Sequence, residues 1–234
     1  MGQIVEPNVE QAVEQNVEAA RRPRGRPQIR PDEETRRLII EAATGEFRTN
    51  GYASTCMGDV AQRAGVSTKT VYRLIPTKAD LFKSVISDRI GRFMLAIDPG
   101  ALDGLGPAQG LERMLVAYGT LTLDEETIAM IRLVLGECDR FPELAATFYE
   151  VAIRRTTEAM ADWLRRQCER GLIRLEDPQV AAGMLRGMMT MEPQRAVMLG
   201  RRGAPAAEEI AERAKTCARL FLDGCRVGYP SDRS

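Results

Sequence analysis

The stretch Met57–Tyr72, MGDVAQRAGVSTKTVY, restricts the fold more than any other part of the chain, because it reads as two short helices broken at Gly65. Met57, Val60, Ala61 and Ala64 recur at i, i+3, i+4 and i+7 and make one apolar stripe, with Thr55 placed to cap the helix start. Gly65 supplies the positive φ that a tight reversal between helices requires, and Val66 plugs the turn. Ser67 then caps a second helix in which Thr68, Lys69, Thr70, Tyr72 and Arg73 carry hydrogen-bonding side chains and only Val71 points back to the core. A helix this polar needs a polar, anionic partner, and a major groove flanked by phosphates is one.

The pattern extends in both directions. Upstream, Ile39, Ile40, Ala42, Ala43 and Phe47 form a helical apolar face that closes at Asn50-Gly51. Downstream, Thr77 and Asp80 have capping-box spacing ahead of Leu81, Phe82, Val85 and Ile86, the apolar face of a helix over 78–97. Residues 33–97 therefore hold three helices and a fourth that leads away from them.

The segments Ile39-Ile40-Glu41-Ala42-Ala43, Gly51-Tyr52, Val60-Ala61-Gln62-Arg63-Ala64-Gly65-Val66-Ser67 and Lys78-Ala79-Asp80-Leu81-Phe82, with Phe47 and Tyr72, resemble the DNA-binding domain of TetR-family transcriptional regulators. Farther on, Ile131-Arg132-Leu133-Val134-Leu135, Arg140-Phe141-Pro142-Glu143-Leu144, Trp163-Leu164-Arg165-Arg166-Gln167 and Arg170-Gly171-Leu172-Ile173 resemble the ligand-binding half of AefR-like members. Ile75 departs from the family pattern, which has an aromatic there, as do Gly45 and Glu46 in the first helix, where helix formers and an apolar residue are usual. A mid-helix Gly costs about 1 kcal/mol relative to Ala, so that helix is expected to be less rigid than its relatives.

The expected architecture is all-α: an N-terminal three-helix helix-turn-helix domain and a C-terminal helical ligand-binding and dimerisation bundle. The boundaries read as a basic extension over 1–31, the DNA-binding domain over 32–82, the ligand-binding and dimerisation domain over 83–228, and a tail over 229–234. Helices are expected near 107–122, 125–139, 142–169, 178–199 and 205–227, with Pro142, Pro178 and Pro205 in first turns and Pro193 kinking the 178–199 helix.

A net charge of zero looks wrong for a DNA binder until the chain is divided. Residues 1–20 carry four Glu and no Lys or Arg, whereas residues 21–82 carry twelve basic against seven acidic side chains, so the positive charge sits with the expected DNA-binding domain. No run of eighteen apolar residues occurs, and the opening residues lack the basic and apolar regions of a signal peptide, which points to a cytoplasmic protein without membrane contact. Five scattered cysteines without a CxxC pair, and no histidine, argue against a zinc site, a disulfide framework or any other cofactor. Cys56, at the start of the first helix of the motif, reads either as an oxidant-sensitive thiol or as a small buried apolar residue.

Arg21-Arg22-Pro23-Arg24-Gly25-Arg26-Pro27 resembles an AT-hook: Pro keeps the strand extended, Gly lets the backbone approach the groove floor, and Arg22, Arg24 and Arg26 lie along a narrow A·T minor groove. A solvated basic linker is the alternative. Before it, Val5, Val9, Val13 and Val17 recur every fourth residue, too weak a stripe to order an isolated helix.

In the larger half, Met114, Tyr118, Met130, Val134, Phe148, Met160, Trp163, Met184 and Met188 are candidates to line an internal cavity for a small-molecule effector, with ordinary core packing as the competing reading. Tyr118 and Trp163 could each donate a hydrogen bond to a ligand oxygen, and Arg132 could pair with an anionic ligand or an acidic neighbour. The stripes Val180, Met184, Gly187, Met188, Met191 and Ile210, Ala214, Cys217, Phe221, Cys225 either pack within the chain or, as the family resemblance implies, meet a second copy across a two-fold axis. A homodimer would also explain how one short helix reads DNA, since two copies read a palindromic operator in double-stranded DNA.

Within the motif, Lys69 and Arg73 are the candidates for base edges, Thr68, Thr70, Tyr72 and Ser67 for phosphate or thymine-methyl contacts, and Thr55 and Lys78 for positioning phosphate. The resemblance implies a repressor, released by a hydrophobic, aromatic or phenolic inducer such as a flavonoid, that controls efflux or detoxification genes. Two other classes compete: an architectural DNA-binding protein that uses hook and helix without a ligand, and an enzyme built on Glu125-Glu126, Glu137 and Asp139. Without His or a Gly-rich phosphate loop the enzyme reading is rejected.

Overall fold

The computed structural model describes Gly2, residues 30–98, Leu102 and residues 104–225. The arm with Arg22, Arg24 and Arg26, and the valine stripe before it, lie outside the described residues. Among the described residues every regular element is a helix, and no helix is long and apolar enough to cross a membrane.

α1 (Asp32–Ser54) begins with Asp32, Glu33 and Glu34, acidic residues that suit the positive end of the helix dipole. It breaks where the sequence marks a stop: Gly51 takes φ 75° and ψ 175°, and a short helical turn follows. α2 (Met57–Ala64) ends at Gly65 in the left-handed region, φ 66°, where the amides of Gly65 and Val66 donate to Gln62 O at 3.1 Å and Ala61 O at 3.0 Å. α3 (Thr68–Leu74) is capped by Ser67, whose Oγ accepts from the Thr70 amide at 3.1 Å, and Val71 is its fully buried residue. α4 (Lys78–Ala96) starts at Thr77, which accepts from the Asp80 amide at 3.0 Å and donates to the Asp80 carboxylate at 2.7 Å.

Beyond these lie α5 (Pro107–Leu123), α6 (Glu125–Glu137), α7 (Pro142–Phe148), a π-helical turn over Tyr149–Arg154, α8 (Arg155–Glu169), α9 (Pro178–Met198) and α10 (Ala207–Gly224). Pro142 and Pro178 occupy first turns as expected, whereas Pro205 precedes α10 by two residues. The expected helix over 142–169 is continuous only through the π turn. Pro193 sits inside α9 without ending it. The carbonyl that it leaves without an i+4 amide, Met189 O, accepts Arg213 Nε from α10 at 2.7 Å.

Two apolar clusters hold these helices. One gathers Ile39, Phe47, Val60, Val71, Leu81 and Phe82, and runs on through Ile90 to Met130 and Val134 of α6 and Leu144 of α7. The other joins α5, α8, α9 and α10 around Leu111, Met114, Leu115, Trp163, Leu164 and Leu185. The head that carries α2 and α3 is thus packed directly onto α6 and α7. At that seam Tyr52 meets Phe47, Phe82 and Phe141 with ring centroids 5.7, 5.8 and 5.1 Å away.

Gly45 and Glu46, which break the family pattern, have a joint explanation. A Cβ on Gly45 would lie 2.6 Å from the Arg63 guanidinium, which crosses α1 there to pair with the buried Glu46 carboxylate at 3.1 Å. Glu46 also accepts from Asn50 Nδ2 at 2.7 Å. The expected loss of rigidity in the first helix is thus offset by a bridge that ties α1 to α2.

Candidate DNA-reading face and effector cavity

α3 presents Ser67, Thr68, Lys69, Tyr72 and Arg73 to solvent, with Thr70 half-buried and its hydroxyl 2.8 Å from Ser67 Oγ. Tyr72 is 51% exposed although it is a large ring, so about half of it is available to a partner. Arg73 is committed elsewhere: it grips Asp32 at the start of α1 through two bonds of 2.7 and 2.6 Å. This guanidinium holds the Asp32 carboxyl below the usual carboxylate range, first through the hydrogen bond and then through its charge. Arg73 also lies on the last turn of α3, away from the N-terminal end that enters a groove in helix-turn-helix proteins. The base-edge role expected for it conflicts with both facts, and Lys69 remains as an exposed cation at the N-terminal end of α3.

Thr55 and Lys78 also do something other than expected. Thr55 is 2% exposed and its hydroxyl donates to Gly51 O at 2.7 Å, so it neither caps α2 nor reaches a phosphate. The cap of α2 is Cys56, exposed, whose Sγ accepts from the Asp59 amide at 3.4 Å, so the reading of Cys56 as buried and apolar is also corrected. Lys78 Nζ donates to the carbonyls of Tyr52, Ala53 and Thr55 at 2.8, 3.2 and 3.0 Å, and it sits 4.6 Å from the Tyr52 ring centroid. Its three donors satisfy the carbonyls at the end of α1, which places the positive charge inside the head.

Glu137, which looked acidic enough for catalysis, has a structural task. From the last turn of α6 its carboxylate accepts the amides of Tyr52 and Ala53 at 2.8 and 2.9 Å. Gly51 makes the approach possible, since a Cβ there would lie 2.8 Å from Glu137 Oε1. Tyr52 adds a second tie through its phenol, which burial and then the charge of Glu143 on α7 push up from its ordinary value.

Behind this seam lies a cavity between α4, α5, α6, the π turn and α9. Its apolar walls include Ile86, Ile90, Leu121, Met130, Ile131, Phe148, Ala152 and Ile153, and its polar lining includes Tyr118, Thr122, Thr127, Thr156, Arg89, Arg186 and Gln194. The space amounts to about 550 Å³ with solvent at its mouth included. Tyr118, Met130 and Phe148 are thus brought together there, and six other candidates are not. Met114, Met160 and Trp163 belong to the second apolar cluster, where Trp163 lies so close over Gly110 that a Cβ would meet its ring at 2.7 Å. Met188 packs on the rim of that cluster, Val134 belongs to the head cluster, and Met184 is 63% exposed. Arg132 binds the terminal carbonyls of α9, Val197 O at 2.6 Å and Met198 O at 2.9 Å, rather than a ligand or a carboxylate.

The polar rim was the part that sequence reasoning missed. Arg89 of α4 reaches both Asp124 oxygens at 2.6 Å, the Glu126 carboxylate, and Thr127 Oγ1 at 3.1 Å, which clasps α4 to the start of α6. Arg186 of α9 donates to Tyr118 Oη at 2.9 Å and Thr157 Oγ1 at 2.6 Å. The π turn forms the facing wall, and wide turns of this kind recur where a helix is shaped around a site.

The two stripes expected to meet a second copy behave differently. Ile210, Ala214 and Cys217 of α10 and Cys225 just after it are buried in the second cluster, with Phe221 packed against it, so that stripe is intramolecular. On α9, Val180, Met184 and Met191 are exposed along one side, at 51, 63 and 49%, beside the open glycines Gly183 and Gly187.

A solvent-facing helix-turn-helix carried on an all-helical body with an internal cavity defines a helix-turn-helix transcriptional regulator. The chain belongs to the TetR family: residues 39–85 match the model for bacterial regulatory proteins of the tetR family, and residues 109–224 match the AefR-like transcriptional repressor C-terminal domain. It is 26% identical over 166 residues to the HTH-type transcriptional regulator ArpR of Pseudomonas putida, covering 68% of this chain and 72% of that one. With TtgR of the same species, an HTH-type transcriptional regulator, it shares 30% identity over 113 residues, 46% of this chain and 52% of the other. Among solved structures, a TetR-family regulator from Mesorhizobium loti superposes with a TM-score of 0.73 at 28% identity, covering 85% of this chain and all of that one. The flavonoid-responsive regulator FrrA superposes with a TM-score of 0.66 at 26% identity, covering 84% of this chain and all of the other. The family and these relatives are regulators of transcription, not enzymes.

Proposed function

We propose that this protein is a cytoplasmic, ligand-responsive repressor that binds a palindromic operator as a homodimer and is released when a small hydrophobic or aromatic molecule fills the cavity. The division of labour is an arm over 1–31, a DNA-reading head over 32–82, an effector and dimer domain over 83–228 and a tail over 229–234. Lys69 reads base edges, Ser67, Thr68, Thr70 and Tyr72 contact the backbone or thymine methyls, and Arg22, Arg24 and Arg26 follow the adjacent minor groove. The exposed stripe on α9 joins the two copies. The family resemblance supports efflux or detoxification genes as targets, and the flavonoid-responsive neighbour supports an aromatic effector.

One observation carries the reading: α6 touches both sites. Thr127, Met130 and Ile131 line the cavity, and Glu137 at the other end of the same helix holds the Tyr52 and Ala53 amides of the head. A helix rises about 1.5 Å per residue and is stiff over this length, so a ligand that shifts α6 shifts what Glu137 holds. α4 is the second lever, clasped to α6 by Arg89. A ligand changes operator affinity only through its differential affinity for the two head spacings. Fluorescence anisotropy on an inverted repeat flanking the gene, with and without candidate aromatic effectors, tests this. Saturable binding reversed by effector supports the reading, and binding that no cavity ligand alters refutes the effector half of it.

A further inference from the structure

Two guanidinium groups face the cavity, and their surroundings differ. Arg89 is neutralised by Asp124 and Glu126. Arg186 has only neutral partners: its Nε donates to Tyr118 Oη at 2.9 Å, its Nη1 donates to Thr157 Oγ1 at 2.6 Å, and its Cζ lies 5.3 Å from the Tyr118 ring centroid. Among the described residues no carboxylate stands within 4.0 Å of it.

A half-buried cation in a largely apolar wall is costly unless a counter-charge meets it. Tyr118 and Thr157 satisfy two of the five guanidinium N–H donors, and Nη2 has no hydrogen bond to a described residue. Tyr118, itself 3% exposed, accepts from Arg186 and has no acceptor for its own O–H among the described residues. The other polar groups of the lining are neutral or engaged: Thr156 donates to Ala152 O at 2.6 Å, Gln194 donates one of its two amide N–H groups to Thr122 O at 3.3 Å, and Thr127 donates to Asp124 at 2.7 Å. The charged donors left unspent therefore lie at one place, Arg186 with the Tyr118 hydroxyl beside it, at the edge of an apolar chamber. A planar guanidinium with a free N–H edge suits a carboxylate above any neutral acceptor.

We infer that the effector is an organic acid: its carboxylate pairs with Arg186 and accepts a hydrogen bond from the Tyr118 hydroxyl, while its aromatic or aliphatic body lies against Ile86, Ile90, Leu121, Met130 and Phe148. This rests on the reading of the cavity as the effector site and narrows it from any hydrophobic molecule to an anionic one. Ion pairing also explains why an otherwise oily chamber keeps an unpaired arginine.

Isothermal titration of the full chain with trans-cinnamate and octanoate, each against its neutral amide, tests the inference. The acids are expected to bind about tenfold or more tighter than the amides, the gain from one shielded charge-assisted contact. Arg186→Met should erase that preference and Arg186→Lys should keep part of it, with thermal melting confirming that both variants fold. Amides that bind as tightly as acids, or a preference that survives in Arg186→Met, overturn the inference while leaving the cavity as effector site. Acid binding untouched by Ile131→Trp, which adds bulk to the α6 side of the chamber, overturns both. If none of the four probes binds at millimolar concentration the inference also falls, and 1-naphthol then tests the cavity on its own.

Discussion

Replacing Glu137 by Gln separates the α6 lever from the mere presence of a cavity. The carboxylate accepts two backbone amides of the head at 2.8 and 2.9 Å. Hydrogen bonds to a charged acceptor contribute about 1.5–3 kcal/mol each when shielded, but the Ala53 contact is exposed and Glu137 is only half-buried, so the lower end applies. The substituted side chain keeps one carbonyl oxygen and turns its amide NH2, a donor, toward the other N–H, which gives an expected loss of about 1–2 kcal/mol in denaturant unfolding. Gly51→Ala attacks the same contact from the other side, adding a Cβ 2.8 Å from Glu137 Oε1 at a φ of 75°, and should cost about 1–3 kcal/mol. The two losses should be strongly non-additive, because the neutral amide introduced by Glu137→Gln can yield where the carboxylate cannot. A double-mutant cycle by urea denaturation, with effector-dependent operator release measured on each variant, reads both effects. Additive losses, or unchanged effector response in Glu137→Gln, would falsify the claim that Glu137 transmits the cavity to the head.

Lys69→Ala should leave unfolding unchanged and weaken the operator by about 1–3 kcal/mol with relaxed sequence preference, whereas Lys78→Met, which strips three carbonyls of their donor, should lower stability first, as parallel melting and anisotropy would show. Asp32→Ala releases Arg73 toward the DNA backbone, so affinity should rise a few-fold and the slope of log affinity against log salt should steepen by about one; an unchanged slope assigns Arg73 to the α1–α3 tie alone. The Asp32 carboxyl is held low, so its ion pair is present above the usual carboxylate range and is lost as pH falls through the lowered value; the wild-type slope at neutral pH is therefore that of the paired state. Met184→Glu, on the exposed side of α9, should abolish the proposed dimer in sedimentation velocity without lowering the helical content.

The helices were legible because their signals are local. Ser67, Gly65, Thr77 and the Asn50-Gly51 stop each act within four residues of themselves, and all four do what their spacing implies. What the sequence hides is how a polar side chain is used across a tertiary gap. Lys78 and Lys69 are both lysines at helix starts, yet only packing of α4 against the end of α1 turns Lys78 inward. Glu137 reads as a surface acid until Tyr52 and Ala53, more than eighty positions earlier, are brought to it. Arg186 lies on a methionine-rich helix beside residues that face outward, and its role depends on the missing carboxylate, an absence no linear pattern reveals. The methionines misled for the opposite reason: Met114 and Met160 fill ordinary core, and Met184 faces solvent.

The central claim, a two-fold head that reads duplex DNA through the exposed N-terminal end of α3, is tested most directly by the mass of the complex with an inverted repeat from the flanking DNA, at near-physiological salt. Two chains per repeat, with tight binding lost on a scrambled duplex and in Lys69→Ala, are expected. A single bound chain, or equal affinity for repeat and scrambled sequence, contradicts it.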